Sequence, residues 1–547
     1  MSDSAPRSLP LLPMRKDSLP RTVIGRWLAR GELADGSHAQ HPTHPWYSVL
    51  WLTGVDYFST LGYQPGIALL AAGALSPLAT ATLVAVTLFG ALPVYAQVAS
   101  RSFAGQGSIA MLENLLPGWR GKIFVLTLLG FACTDFVITM TLSAADAAQH
   151  AIENPILHPF LSDARLGITC ALLALLVAVF LRGFVEAIGL AAMVTIPYLL
   201  LNLIVFGRGF LEIARHPELL GGWAGALGRS GDPSALALAC MLIFPKLALG
   251  MSGFETGVSV MPLIRGAKGD ASDAAPHGRI RATRNLLITA ALIMSVMLVL
   301  SSFVTALLVP EAAYRDGGPA SGRAIAWLAH LYLGEAFGTL YDFSTIAILW
   351  FAGASAMAGL LHLVPRYLPR FGMAPQWLAH RRPLVIVLFA VCLLVTWIFD
   401  ADVEAQASAY ATGVLALMLS AAVAVALAFS REREADGSLS LRSRLLSGAF
   451  WIVSAVFAYT LLDNVVERPD GVFIAAAFIA AILVIGAVSR AWRSTELRVS
   501  NVVFEDDRSA EMWKEIAGRK VNLVPLRKWE ASARAAKRYE IGKHYPE

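Results

Sequence analysis

Between Thr53 and Gly66 the chain places Asp56, Tyr57, Ser59, Thr60, Tyr63 and Pro65 among glycines, inside a stretch otherwise apolar enough to cross a bilayer. A carboxylate at membrane depth is costly unless it faces a polar cavity or a cation, so Asp56 is a functional candidate. The glycines and Pro65 free backbone carbonyls at the same depth, which a membrane tolerates only where the broken helix lines a cavity. Carboxylate, phenol, hydroxyl and carbonyl oxygens gathered at one depth suit a hard cation that must exchange its water for protein oxygens. The segment reads as half of an ion site.

Lys246 to Gly257 repeats that logic, with glycines around Ser252 and Glu255, and predicts a second broken helix. Asp135, Thr139 and Ser143 follow one another at i,i+4 spacing and share one helix face. The alternative for such hydroxyls is that they bond the carbonyl one turn back. Lys246 is expected to meet Asp135 as an intramembrane pair that forms and breaks, or else to snorkel to an interface. Tyr410 either points its phenol into the cavity or belongs to the interfacial aromatic belt. Tyr341-Asp342 and the small residues Ala352 to Ser355 read as packing. Of the two acids in the broken helices, Glu255 is the one expected to take up a proton when the cation is absent, letting the empty site reorient without an uncompensated charge.

The elements that must position these residues are transmembrane helices. Hydrophobic residues make up 56% of the chain and mean hydropathy is +0.60. Apolar runs of about twenty residues recur along all but the ends and predict about twelve spans, near 46–74, 77–100, 121–150, 164–182, 185–210, 234–264, 284–309, 337–365, 384–400, 403–429, 447–465 and 470–492. The fold class is all-α, with the broken spans 1 and 6 opening the two halves of a five-plus-five inverted repeat. Arg101, Arg120, Lys122, Arg182, Arg265, Arg281, Arg366, Arg381 and Arg431 stand among many basic residues in the loops of one side, and the opposite loops carry far fewer. This predicts a multi-pass inner-membrane protein with both termini cytoplasmic, and it accounts for a net charge of +5 without nucleic-acid binding. The expected organisation is a cytoplasmic arm over 1–45, a membrane domain over 46–493 and a cytoplasmic tail over 494–547. In the tail, 519–526 reads as a strand and 529–539 as a basic helix, or the whole lies on the anionic inner leaflet. Cys133, Cys170, Cys240 and Cys392 all fall in predicted spans and read as small apolar fillers.

Taken together, Asp56 to Tyr63, Asp135 to Ser143, Ser252 to Glu255 and Tyr410 to Val414 resemble the motifs of the KimA-type potassium transporters, in the KUP group of the amino acid–polyamine–organocation superfamily. Tyr341 to Thr345, Gly353 to Ser355 and Val364 to Arg366 are supporting matches, so the resemblance runs in register over about 46–430. It implies a LeuT-like fold that takes up potassium by proton-coupled symport, with no cofactor and no enzymatic activity. Carried over by position, the potassium ligands would be Asp56, Tyr63, Thr139, Ser143, Ser252, Glu255 and Tyr410. Ser252 stands where the family has threonine, and Gln64-Pro65 where Ala-Thr is usual. The family's larger C-terminal domain supports homodimers and, in some members, cyclic di-AMP binding. The short tail here puts both in doubt.

Two other readings compete. An amino acid or polyamine permease of the same superfamily would hold a substrate carboxylate at the broken span, where Asp56 would repel it, although a cationic substrate would be accepted. A rhomboid-like serine hydrolase is suggested by Gly250 to Phe254 with His330, but the carboxylate cluster serves no acyl transfer.

Overall fold

The structure is a computed structural model, and it describes residues 43–102, 107–115, 118–161, 164–182, 187–267, 270, 276–315, 317–367, 380–432, 441–496, 511 and 513–515. The predicted tail strand and basic helix, and most of the N-terminal arm, lie outside these residues. The chain separates into two compact units, Met1–Ala491 and Trp492–Glu547. In the second, the few described residues are helical.

The first unit is an all-α membrane protein. Among the described residues it has 11 helical segments long and apolar enough to span a bilayer. The first, Trp46–Arg101, is 56 residues long, and at 1.5 Å per residue it would far exceed the hydrocarbon core if straight. It turns at Gly73, whose φ of +52° favours glycine. The helix His277–Leu308 packs against both of its limbs. The segment therefore holds two passes, and twelve result.

Span 1 comprises helices Trp46–Ser59 and Gln64–Ala72, joined by the 3₁₀ turn Thr60–Gly62. Span 2 comprises Ser76–Val86 and Leu92–Arg101. Spans 3, 4 and 5 are Gly118–Glu153, Arg165–Arg182 and Ala187–Arg215. Span 6 comprises Pro233–Ile243, the 3₁₀ stretch Phe244–Met251 and the helix Phe254–Ser259. Spans 7 to 10 are His277–Leu308, Glu335–Tyr367, Arg381–Ile398 and Val403–Arg431. Spans 11 and 12 are Leu441–Glu467 and Gly471–Ala491.

The packing itself carries the repeat. If spans 1 to 5 correspond to spans 6 to 10, a contact in one half should recur in the other. Span 1 packs on spans 5 and 7, and span 6 on spans 10 and 2; span 3 packs on spans 4 and 10, and span 8 on spans 9 and 5. Pairs that map onto themselves, spans 2 with 7, 3 with 8 and 4 with 9, also pack together. An odd number of passes per half reverses the second half relative to the first. A short parallel bridge shows this directly, because it ties His44, just before span 1, to Ile264, just after span 6. The start of one broken span thus lies beside the end of the other. Shorter helices occupy equivalent places after spans 2 and 7, at Gly107–Leu115 and Ala324–Leu333.

Candidate functional site

The two breaks have different local causes. In span 1, Pro65 enters in the first turn of the second helix, where its missing N–H leaves the Leu61 carbonyl without an intrahelical donor. In span 6, Ser252 is extended and Gly253 adopts φ +90°, which stops the 3₁₀ stretch and starts Phe254–Ser259 in a new direction. A Cβ on Gly253 would lie 2.4 Å from the Tyr57 ring, so glycine is needed for approach as well as for conformation.

Asp56 lies at the end of the first half-helix of span 1 and is 8% exposed. Thr256 donates its hydroxyl to Asp56 Oδ2 at 2.7 Å, linking the two broken spans. Thr60 and Ser252 add a hydroxyl pair at 3.4 Å. Gln64 donates from Nε2 to the Leu247 carbonyl at 3.1 Å, so the residue that departs from the family pattern ties the span 1 break to the 3₁₀ stretch of span 6. Tyr410 of span 10 faces Ser252 and lies within electrostatic reach of Asp56, Asp135 and Tyr63.

Asp135 is buried on span 3, and its Oδ1 has no partner among the described residues. It is within electrostatic reach of both Asp56 and Glu255. Glu255 Oε1 accepts from the Ser108 backbone N–H at 3.3 Å, while Oε2 is buried without a partner. Gly107 makes that approach feasible: a Cβ there would fall 1.9 Å from Glu255 Oε1. Asp135 of span 3 thus lies within reach of an acid from each broken span, and it and Glu255 each keep an unused buried oxygen. Among the described residues no three His, Cys, Asp or Glu side chains close into a metal-ligand cluster. An ion here would draw on hydroxyl, phenol and carbonyl oxygens as well as acids.

Thr139 takes the alternative course, donating to the Asp135 carbonyl at 2.8 Å, though its oxygen keeps lone pairs for a further contact. Ser143 is buried on the same helix, and Tyr63 is buried beside the span 1 break. Lys246 differs from the expectation. Its Nζ is 3.1 Å from Glu467 Oε2 of span 11, with both side chains part-exposed, and it makes no pair with Asp135. The 3₁₀ winding of Phe244–Met251 has three residues per turn, which changes the face on which Lys246 emerges relative to an α-helix.

Asp342, read from sequence as part of a packing segment, is instead 1% exposed at the centre of a buried ion network. Ala352 to Ser355 do pack closely, with the Gly353 position against the Met140 backbone. His330 is occupied by Asp342 and Glu335, and Ser252 by Thr60, so no serine–histidine dyad is assembled. Sequence reasoning missed Thr256, Gly107 and Asp146, and marked Gln64 only as a departure from the resembling motif. The Glu255-Thr256 adjacency offered a signal for the first; the others are recruited by contacts between distant segments.

No protein-family model and no curated protein matches the chain. Among solved structures it is similar to a variant of the Eremococcus coleocola manganese transporter, at 14% identity and a TM-score of 0.47 over 84% of this chain and 98% of that one. It is also similar to MhsT in complex with L-phenylalanine, at 14% identity and a TM-score of 0.48 over 76% of this chain and 98% of that one. Likenesses of this degree assign neither cargo nor mechanism. What the described residues establish by themselves is an all-α, multi-pass membrane protein in which span 3 carries a buried acid, Asp135, within reach of buried Asp56 and half-buried Glu255 on the two broken spans.

Proposed function

We propose that this protein is a secondary transporter of the inner membrane that takes up potassium together with protons, with both termini in the cytoplasm. The observation that carries the reading is the pair of unpartnered buried oxygens, Asp135 Oδ1 and Glu255 Oε2, with Asp135 within electrostatic reach of both Glu255 and Asp56. Uncompensated carboxylates at membrane depth require a cation or a proton. Asp56, Tyr63, Thr139, Ser143, Ser252, Glu255 and Tyr410 are the proposed potassium ligands, and the carbonyls freed at the breaks complete an oxygen shell suited to a large monovalent ion. Thr256 orients Asp56 by holding one of its oxygens and leaving the other for the ion. Asp135 adds negative potential from behind the ligands.

Proton coupling follows from the same balance. With potassium bound, its charge offsets Asp56; with the site empty, a proton on Glu255 removes one of the charges that reorientation would otherwise carry through a low-dielectric passage. The Ser108 N–H and Tyr95 beside the Glu255 carboxylate can accommodate both forms. The decisive test is rubidium uptake by reconstituted protein under an imposed pH gradient with the membrane potential clamped. Uptake that follows the gradient supports the reading. Flux indifferent to it would indicate a uniporter, and flux of arginine or a polyamine in place of rubidium would indicate a permease for organic cations.

A further inference from the structure

A second set of ionisable groups lies beyond the ion site, where spans 3 and 8 meet the connection before Ala324–Leu333. Asp342 is its hub. Asn154 donates to Asp342 Oδ2 at 2.8 Å, His330 Nε2 lies 2.9 Å from the same oxygen, and His150 Nδ1 lies 3.1 Å from Oδ1. The Arg323 guanidinium is 3.3 Å from both oxygens and 3.4 Å from Glu153. His330 turns its other nitrogen, Nδ1, to Glu335 at 2.8 Å, and the Glu335 side chain is 69% exposed. Each imidazole therefore has one nitrogen on Asp342 and the other pointing away, outward for His330 and inward for His150.

The inward end is unfinished. His150 Nε2 is buried without a partner among the described residues, and so is Asp146 Oδ2, one turn back on the same helix. Asp146 Oδ2 lies 3.4 Å from where a Cβ on Gly62 would sit, at the span 1 break. Asp146 is faced by His150 and Glu153 from its own helix and by Arg323 from the connection, and Tyr63 is within reach of both Asp146 and Asp56. Arg323 is shared between Asp342 and Glu153, so charge compensation beside Asp342 asks for at most one further cation. Two histidines strung end to end, finishing on two open polar atoms at the break, exceed that need.

We propose that Glu335, His330, Asp342 and His150 form a proton relay that ends on Asp146 beside the break in span 1. The relay rests on the proton-coupled reading of the ion site and brings protons from one membrane face as far as the span 1 break. A proton from water binds Glu335 and passes to His330 Nδ1, and His330 releases the one on Nε2 to Asp342. Asp342 then protonates His150 at Nδ1, and the Nε2 proton of His150 passes to Asp146 through a single bridging water, since the two open atoms make no direct hydrogen bond. Each intermediate group gains one proton and loses one, so the net change is one proton moved from water to Asp146. The Arg323 guanidinium, 3.3 Å from both Asp342 oxygens, offsets the carboxylate charge between transfers.

The test uses full-length protein in liposomes, with two assays: rubidium uptake driven by a pH gradient at clamped potential, and rubidium-for-rubidium exchange at equal pH on both sides. In His330→Ala and His150→Gln, gradient-driven uptake should fall about tenfold or more while exchange stays within about twofold of wild type. Millimolar imidazole added at the Glu335 face should restore His330→Ala but not His150→Gln, a rescue that a purely structural histidine would not show. Unchanged gradient-driven uptake in both variants overturns the relay and leaves the transport reading standing. Parallel loss of uptake and exchange without imidazole rescue makes the network structural and also overturns it. A wild-type protein whose rubidium flux ignores the gradient removes the proton-coupled reading, and the relay with it.

Discussion

Asp56 holds its place in the membrane through one hydroxyl, that of Thr256 at 2.7 Å. Asp56→Asn keeps the shape and removes the charge; the lost attraction for a cation, about 3 kcal/mol or more at this depth, should abolish rubidium uptake in protein that still inserts. Near wild-type uptake by that variant would dismiss Asp56 as a ligand. Thr256→Val should do less: a hydrogen bond to a charged group is worth about 1.5–3 kcal/mol, so half-saturation for rubidium should rise by about tenfold or more with the maximal rate less affected. His330 makes a pH prediction outside the spans. Its hydrogen bond to Asp342 raises its pKa above the ordinary histidine value, against the opposing effect of partial burial. The folded protein thus holds this proton more tightly than the unfolded chain. The resulting stability is complete below about 6.5 and is lost as pH rises through the folded-state value. Melting curves of wild type and His330→Gln should therefore converge towards alkaline pH, and a constant separation across the range would refute the assignment.

At the scale of elements, the function depends on where helices stop. Gly253 ends the 3₁₀ stretch of span 6 at φ +90° with the Tyr57 ring in contact distance of any added methyl. Gly253→Ala should cost about 1–3 kcal/mol from backbone strain alone, and the displaced ring should impair uptake as well. A variant with unchanged melting temperature and uptake would mean that the break is not held at this residue. The winding of the same span also removes Lys246 from Asp135. Because Lys246 and Glu467 are part-exposed, their pair is worth about 0–1 kcal/mol. A double-mutant cycle between Asp135→Asn and Lys246→Met should then be additive within about 0.5 kcal/mol. A larger coupling would show that the two meet in another state of the cycle.

For the whole molecule, the repeated packing places a connecting helix against each break. Gly107 and Ser108 of one meet Glu255, and Gly322, just before the other, lies 3.3 Å from a Cβ built on Gly66. The two breaks are thus closed by equivalent pieces from opposite halves. All the proposed ligands lie within the unit Met1–Ala491, so a chain ended after Arg493 should retain rubidium uptake in liposomes, with any deficit in assembly or regulation. Complete loss by a correctly inserted truncation would make the tail part of the transport machinery.

Hydropathy and residue type are enough to locate the spans, the two breaks and the acids within them. Those features are local: hydropathy over a bilayer's length sets a helix, and Pro65 or Gly253 interrupts one wherever the rest of the chain goes. Asp56, Asp135 and Glu255 stood out because each is expensive in an apolar stretch. The partners come from helix packing. Thr256 bonds Asp56, Gly107 and Ser108 reach Glu255, and Lys246 turns to Glu467, all through contacts between segments far apart in the chain. Asp342 was the least legible residue, since Tyr341-Asp342 at the start of an apolar span reads as packing. It becomes a hub only when span 3 delivers His150, Asn154 joins from just after that span, and the connection before span 8 delivers Arg323 and His330. Charge in a membrane announces itself in sequence because solvation is a local cost; what compensates that charge is set by how the helices pack.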